Sequence, residues 1–205
     1  MSTTTPRLPG TTVGASARPP ALVSAGKAAS LSSGVLALIA LVIVFANEAA
    51  RGEDWVTTGW ASLAGWGSFL GACLLVVGII GLAVRFSDVV SSAGQWALVG
   101  LGFTGAVTAG AMSTLALVVP DLADRMPDIA TNPPAAVPPT FILSGLAMGI
   151  CGLVLAVALR RVPTVARWAT VLLIAGSIAT MLPLPSRYFL LAFGVAAVLG
   201  SRAET

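Results

Sequence analysis

Histidine is missing from this sequence, and charge is scarce: 9% of residues are Asp, Glu, Lys or Arg, where soluble domains carry roughly a quarter. Without histidine the chain lacks the commonest general base and the usual haem and zinc ligand. Without charge it lacks the surface of a water-soluble domain. The two cysteines, Cys73 and Cys151, each fall inside an apolar run, where they read as small hydrophobic residues rather than as a disulfide framework. No Asp, Glu, Lys or Arg lies in the middle of any apolar segment. Intramembrane ionisable groups mark most proton relays and ion pathways, so this pattern argues against a proton-coupled pump or a redox carrier. No catalytic, cofactor-binding or metal-binding residue is expected.

What is abundant is apolar surface. Hydrophobic residues make up 57% of the chain, and the mean hydropathy is +0.95. The expected fold is all-α, a polytopic membrane helix bundle. Ten of the eleven basic residues are Arg and one is Lys, and Ala, Val, Gly and Leu are frequent, the usage of a GC-rich genome. In composition and layout the chain resembles small multi-pass membrane proteins of GC-rich bacteria over about residues 30 to 201, without a signature motif of a named family. A bacterial plasma membrane is the expected location. The formal charge of +3 does not point to nucleic acid, because the basic residues are scattered and sit mostly at the ends of apolar segments.

Residues 1–29 are rich in Thr, Ser, Pro, Gly and Ala without a periodic apolar pattern, and read as a disordered cytoplasmic tail. Six apolar segments follow within 30–201, at about 31–47, 57–84, 93–119, 139–159, 165–182 and 187–200, ahead of a short tail at 202–205. They predict six transmembrane helices. A crossing needs ~20 residues, so the second and third segments should tilt, and the last is either a strained crossing or a partly inserted one. With the N-terminus inside, Arg7, Arg18, Lys27, Arg85, Arg160, Arg161, Arg167 and Arg202 fall on the inner side, against Arg51, Arg125 and Arg187 outside. The positive-inside rule therefore places both termini in the cytoplasm. Trp55 and Trp60 would sit near the outer interface, and Trp96 and Trp168 near the inner one. The first segment, GVLALIALVIVFA followed by ANEAA, also has the pattern of a cleavable secretory signal, which would leave five helices.

GIIGLAVR at 78–85 nearly repeats in GICGLVLAVALRR at 149–161. Gly78, Ile79, Gly81 and Leu82 match Gly149, Ile150, Gly152 and Leu153 at a fixed offset, and Phe69 and Trp96 pair with Phe141 and Trp168 one residue further on. The second and third helices thus read as a parallel duplicate of the fourth and fifth, of the kind seen in some transporters. Chance similarity between Gly-rich apolar helices is the plainer alternative. Gly67, Gly71, Gly78 and Gly81 lie within an arc of about 80° at 3.6 residues per turn. Gly145, Gly149 and Gly152 form a similar stripe, as do Gly94, Gly102, Gly105 and Ala109. Lipid tails are as apolar as leucine, so helices in a bilayer associate through close backbone approach, and these glycines are expected to pack helix on helix.

Three functional classes remain open. The first is a non-enzymatic packing or accessory protein, a homo-oligomer or a subunit beside other membrane proteins, with the lipid bilayer as its surroundings. The second is a transporter of a small neutral or lipophilic solute, whose pathway would use Thr104, Thr108, Ser144 and Ser177. Such hydroxyls otherwise bond back to their own helix. The third is a membrane enzyme with an outer-surface site built from Glu48, Glu53, Asp54 and Asp121. Asp121, Asp124 and Asp128 could attract a cation, but Pro127 interrupts a helix there, Arg125 can neutralise Asp121, and a solvated acidic loop is the plainer reading. In LPLPSR at 182–187, Pro183 and Pro185 end the fifth helix. Either a tight turn follows or a broken helix dips back into the membrane. Cysteines introduced at Arg7 and Thr131 are expected to label from opposite sides of intact cells, the second from outside. Labelling from one side contradicts the six-helix topology.

Overall fold

Runs of Leu, Ile, Val and Ala carry the helices, and Pro and charged clusters end them. The computed structural model describes residues 20–52, 58–118, 125, 137–182, 184 and 186–201. Among them lie six α-helices in the order α1 (Pro20–Arg51), α2 (Gly59–Phe86), α3 (Ser92–Leu117), α4 (Val137–Leu159), α5 (Arg167–Thr180) and α6 (Phe189–Gly200). Pro20 opens α1 where its missing N–H costs nothing, and Pro138 and Pro139 fall in the first turn of α4 for the same reason. Ser91 caps α3, its hydroxyl accepting from the Gly94 N–H at 3.4 Å.

Four helices are long and apolar enough to cross a bilayer: Ala21–Arg51, Gly59–Phe86, Ser92–Thr114 and Pro139–Leu159. α5 and α6 have 14 and 12 residues, about 21 and 18 Å, short of the ~30 Å hydrocarbon. Of the six expected helices, four are thus long apolar candidates for crossing and two are shorter apolar helices. The tail expected over 1–29 is helical from Pro20 onward, where the buried Gly26 meets Gly81 of α2 and Leu199 of α6. Residues 1–19 and 202–205 lie outside the described residues.

The helices form a ring in chain order. α1 packs on α2, α2 on α3, α3 on α4, α4 on α5 and α5 on α6, and α6 closes the ring against α1 while also touching α2. The shortest helix is thus the most enclosed. Leu191, Ala192, Val195 and Val198 of α6 are fully buried, whereas lipid-facing residues of the long helices are open, Phe103 at 70% and Leu143 at 64%. Burial inside protein explains how a 12-residue helix persists here: its ends meet protein groups instead of hydrocarbon. α1 belongs to this enclosure, since Gly26 and Gly81 meet backbone to backbone and Gly34 lies under the Phe193 ring.

The repeated glycines do not occupy equivalent places. Gly78 and Gly81 of α2 face the preceding helix, at Ser30 and Gly26. Gly149 and Gly152 of α4 face the following one, at Ser177 and Met181. α3 has 26 residues where its counterpart α5 has 14. The echo therefore lies in the sequence, while the contacts made by the two hairpins differ.

Gly78→Leu and Gly149→Leu should each drive a side chain into a neighbouring helix and lower thermal stability by at least about 1–3 kcal/mol. Gly110→Ala, where an added Cβ meets nothing within 4 Å, should leave stability unchanged or slightly raised. Differential scanning fluorimetry in detergent reads both outcomes, and equal effects at the three positions contradict this packing.

Candidate functional site: a buried turn at the tip of the short hairpin

The second half of the turn between α5 and α6 is buried, at Ser186, Arg187 and Tyr188, whereas Leu182 and Leu184 before it are exposed. Tyr188 reaches Ser68, about nine residues or ~14 Å along α2 from Gly59. Arg187 reaches Phe141 and Ser144, ~6–11 Å along α4 from Val137. The other end of the hairpin returns to the level of Arg85, which donates to the α6 carbonyls of Val198 at 3.4 Å, Leu199, and Ser201 at 2.5 Å. α5 and α6 thus rise from one end of the bundle, turn beneath the opposite ends of α2 and α4, and return.

Three neighbouring residues hold the tip. Ser186 is buried with φ of 50°, a left-handed backbone that costs a non-glycine residue about 1–2 kcal/mol, and its hydroxyl meets that of Ser68 at 2.6 Å. Arg187 is 7% exposed. Its guanidinium donates to the carbonyl of Phe141, to the Ser144 hydroxyl at 3.2 Å and to the Leu182 carbonyl at 3.5 Å, and stacks 5.4 Å from the Phe141 ring. Among the described residues no carboxylate pairs with it. Tyr188, the only tyrosine in the chain, is 1% exposed and donates to the Ser68 carbonyl.

Glycines make room for these groups. A Cβ on Gly71 would stand 2.8 Å from the Tyr188 hydroxyl and 3.3 Å from the Ser33 carbonyl. One on Gly145 would collide with the Arg187 guanidinium and lie 2.5 Å from the Thr180 carbonyl. α5 and α6 touch backbone to backbone where Gly176 meets Leu191 and Gly194 meets Leu173.

The residues singled out from sequence scatter through this architecture. A Cβ on Gly67 would stand 3.6 Å from Ala40, Gly71, Gly78 and Gly81 lie against α1 or the turn, and Gly145, Gly149 and Gly152 against α5 and the turn. A Cβ on Gly105 would stand 3.2 Å from Val76, and one on Gly102 would meet only Ile79, at 4.0 Å. Among the hydroxyls, Thr104 donates to Gly100 and Thr108 to Thr104, both at 2.8 Å, Ser144 to Phe141 at 2.9 Å and Ser177 to Leu173 at 2.7 Å. Ser144 alone joins the turn. Thr104 and Thr108 lie one turn apart on α3, and Ser177 is wedged against Gly152. Each of the four donates to a carbonyl of its own helix. Glu48 is exposed in the last turns of α1, and Glu53, Asp54, Asp121, Asp124 and Asp128 lie outside the described residues. No group of three His, Cys, Asp or Glu side chains gathers among the described residues.

Sequence reasoning missed Ser68, Ser186 and Tyr188, and it placed Arg187 at an outer loop. The available signal was local: a lone tyrosine after an arginine, between two segments too short to cross. The chain is a multi-pass membrane protein by the length and composition of its helices. No family model matches it, and comparison with curated proteins and with solved structures likewise finds no match.

Removing the Arg187 guanidinium as Arg187→Leu takes one donor from the Phe141 carbonyl and one from the Ser144 hydroxyl. It should cost about 2 kcal/mol, and Tyr188→Phe about 1 kcal/mol. Thermal unfolding in detergent measures both, and wild-type stability in the two variants contradicts a structural turn.

Proposed function

We propose that the chain is a non-enzymatic accessory or complex-subunit protein of a bacterial plasma membrane, with both termini in the cytoplasm. The observation that carries this reading is the saturated interior. Among the described residues no buried side-chain nitrogen or oxygen lacks a hydrogen-bond partner. The hydroxyls bond back to their own helices, and Arg187 and Tyr188 reach carbonyls of neighbouring ones. Substrate sites keep a few polar groups convergent and available, and this core keeps its polar groups engaged. The orientation follows from charge. Lys27, Arg85, Arg160, Arg161 and Arg167 gather at one end of the bundle, which the positive-inside rule assigns to the cytoplasm.

A transporter of a small neutral or lipophilic solute is the second reading. It draws on the dipping hairpin, because transporters place broken helices at membrane depth beside their sites. The backbone bonding of Thr104, Thr108, Ser144 and Ser177 weighs against it.

In mild-detergent extracts the protein is expected to migrate as an assembly larger than its 20.6 kDa, as a homo-oligomer or with a second membrane subunit, by native mass spectrometry. A monomer without a co-purifying protein, together with solute flux in proteoliposomes, replaces this reading with the transporter.

A further inference from the structure

A cleft of about 500 Å³ opens on the surface between the first turn of α3 and the last turns of α4. Val89 and Ala93 form one wall, and Leu153, Val154 and Val157 form the other. Val89 and Val157 are more than half exposed, so the cleft opens sideways onto whatever surrounds the bundle. Ser91 and Arg161 also line it, and both belong to helix ends on the basic side. Arg161 is exposed and makes no ion pair or side-chain hydrogen bond among the described residues.

The charge at this end is one-sided. Lys27, Arg85, Arg160, Arg161 and Arg167 face Asp88 as the acid there among the described residues. The N-terminus of α3 also opens at the cleft, and the first N–H groups of a helix have no intrahelical acceptor. From Leu153 to Arg161 the α4 wall is ~12 Å long, room for the upper part of an acyl chain beneath a headgroup. Apolar walls ending in an unpaired arginine and a helix N-terminus combine the two chemistries of one amphiphile: a hydrocarbon chain and an anionic phosphate.

We propose that this cleft binds one anionic phospholipid of the cytoplasmic leaflet, with its phosphate at Arg161 and the α3 N-terminus and an acyl chain along Val154 and Val157. Basic pockets between membrane helices on the cytoplasmic side suit such headgroups. The inference rests on the bilayer placement proposed above, and the experiment separates the two. The full chain is reconstituted in nanodiscs of equal phosphatidylglycerol and phosphatidylcholine, released into detergent, and its retained lipids are counted by native mass spectrometry. Wild type is expected to keep one phosphatidylglycerol in preference to phosphatidylcholine.

Arg161→Gln should reduce that retention about fivefold, the worth of one basic residue at a membrane surface. Val157→Trp, which fills the cleft but leaves the charge, should reduce it as well. Arg160→Gln removes the same charge one residue away, outside the cleft lining, and should retain the lipid. Equal retention of the two lipids by wild type, or equal loss in Arg160→Gln and Arg161→Gln, overturns the site. Because a variant can fail to fold, the wild-type protein is also crosslinked with a photoactivatable phosphatidylglycerol. Adducts at 153–161 support the site, and adducts spread evenly over the exposed helix faces overturn it. A chain that does not enter nanodiscs at all disproves the bilayer placement instead.

Discussion

Inside a bilayer there is no water to receive a hydrogen bond, so every buried polar group must find its partner in the protein. That constraint organises this molecule. Most of the backbone meets it within six helices, and many serines and threonines, among them Thr104, Thr108, Ser177 and Thr180, meet it by bonding to carbonyls three or four residues back. The hard case is the irregular segment between α5 and α6. Its last three residues are enclosed, where Arg187, Tyr188 and Ser186 tie it to Phe141, Ser144 and Ser68. At the opposite end Arg85 plays the matching part, since its guanidinium meets the carbonyls that the α6 C-terminus leaves open. A short helix is thus secured at both ends by residues of longer ones.

The second organising fact is how near the helices come. Hydrocarbon tails give no net incentive for apolar side chains to leave them, so association rests on dispersion contact and on hydrogen bonds between helices. Gly26 on Gly81, Gly176 on Leu191 and Gly194 on Leu173 bring backbones together, and Ser33 uses the approach to reach the Gly71 carbonyl at 2.7 Å. The same glycines make space for the large polar groups of the buried turn. Gly71 admits the Tyr188 hydroxyl and Gly145 admits the Arg187 guanidinium, so packing and polar satisfaction are met at the same positions.

Much of the fold was legible in the sequence because hydropathy is a local property. The four long helices and the basic end can be read from runs of Leu, Val and Ala and from the positions of Arg and Lys. The buried turn was only half legible. Two prolines and two short segments announced an irregularity at LPLPSR, yet nothing in that string tells a surface loop from a buried one. The deciding partners, Ser68 on α2 and Ser144 on α4, are far away in sequence. The burial of Arg187 was hidden for the same reason, since counting charges by loop says nothing of what encloses each one. The tail boundary at residue 29 failed differently. Residues 20–29 lack an apolar stripe strong enough to announce a helix, and they become helical because Gly26 and Ser30 fit against α2.

Composition and hydropathy alone determined that this chain is helical, that it belongs in hydrocarbon and which segments are long enough to cross, because each of those properties belongs to a residue and its near neighbours. Only the tertiary structure decided that the last helix is enclosed by the others, that an arginine lies buried just before it, and which partner each glycine meets. Those outcomes depend on which surfaces come together around the ring, and helices tens of residues apart make that choice jointly.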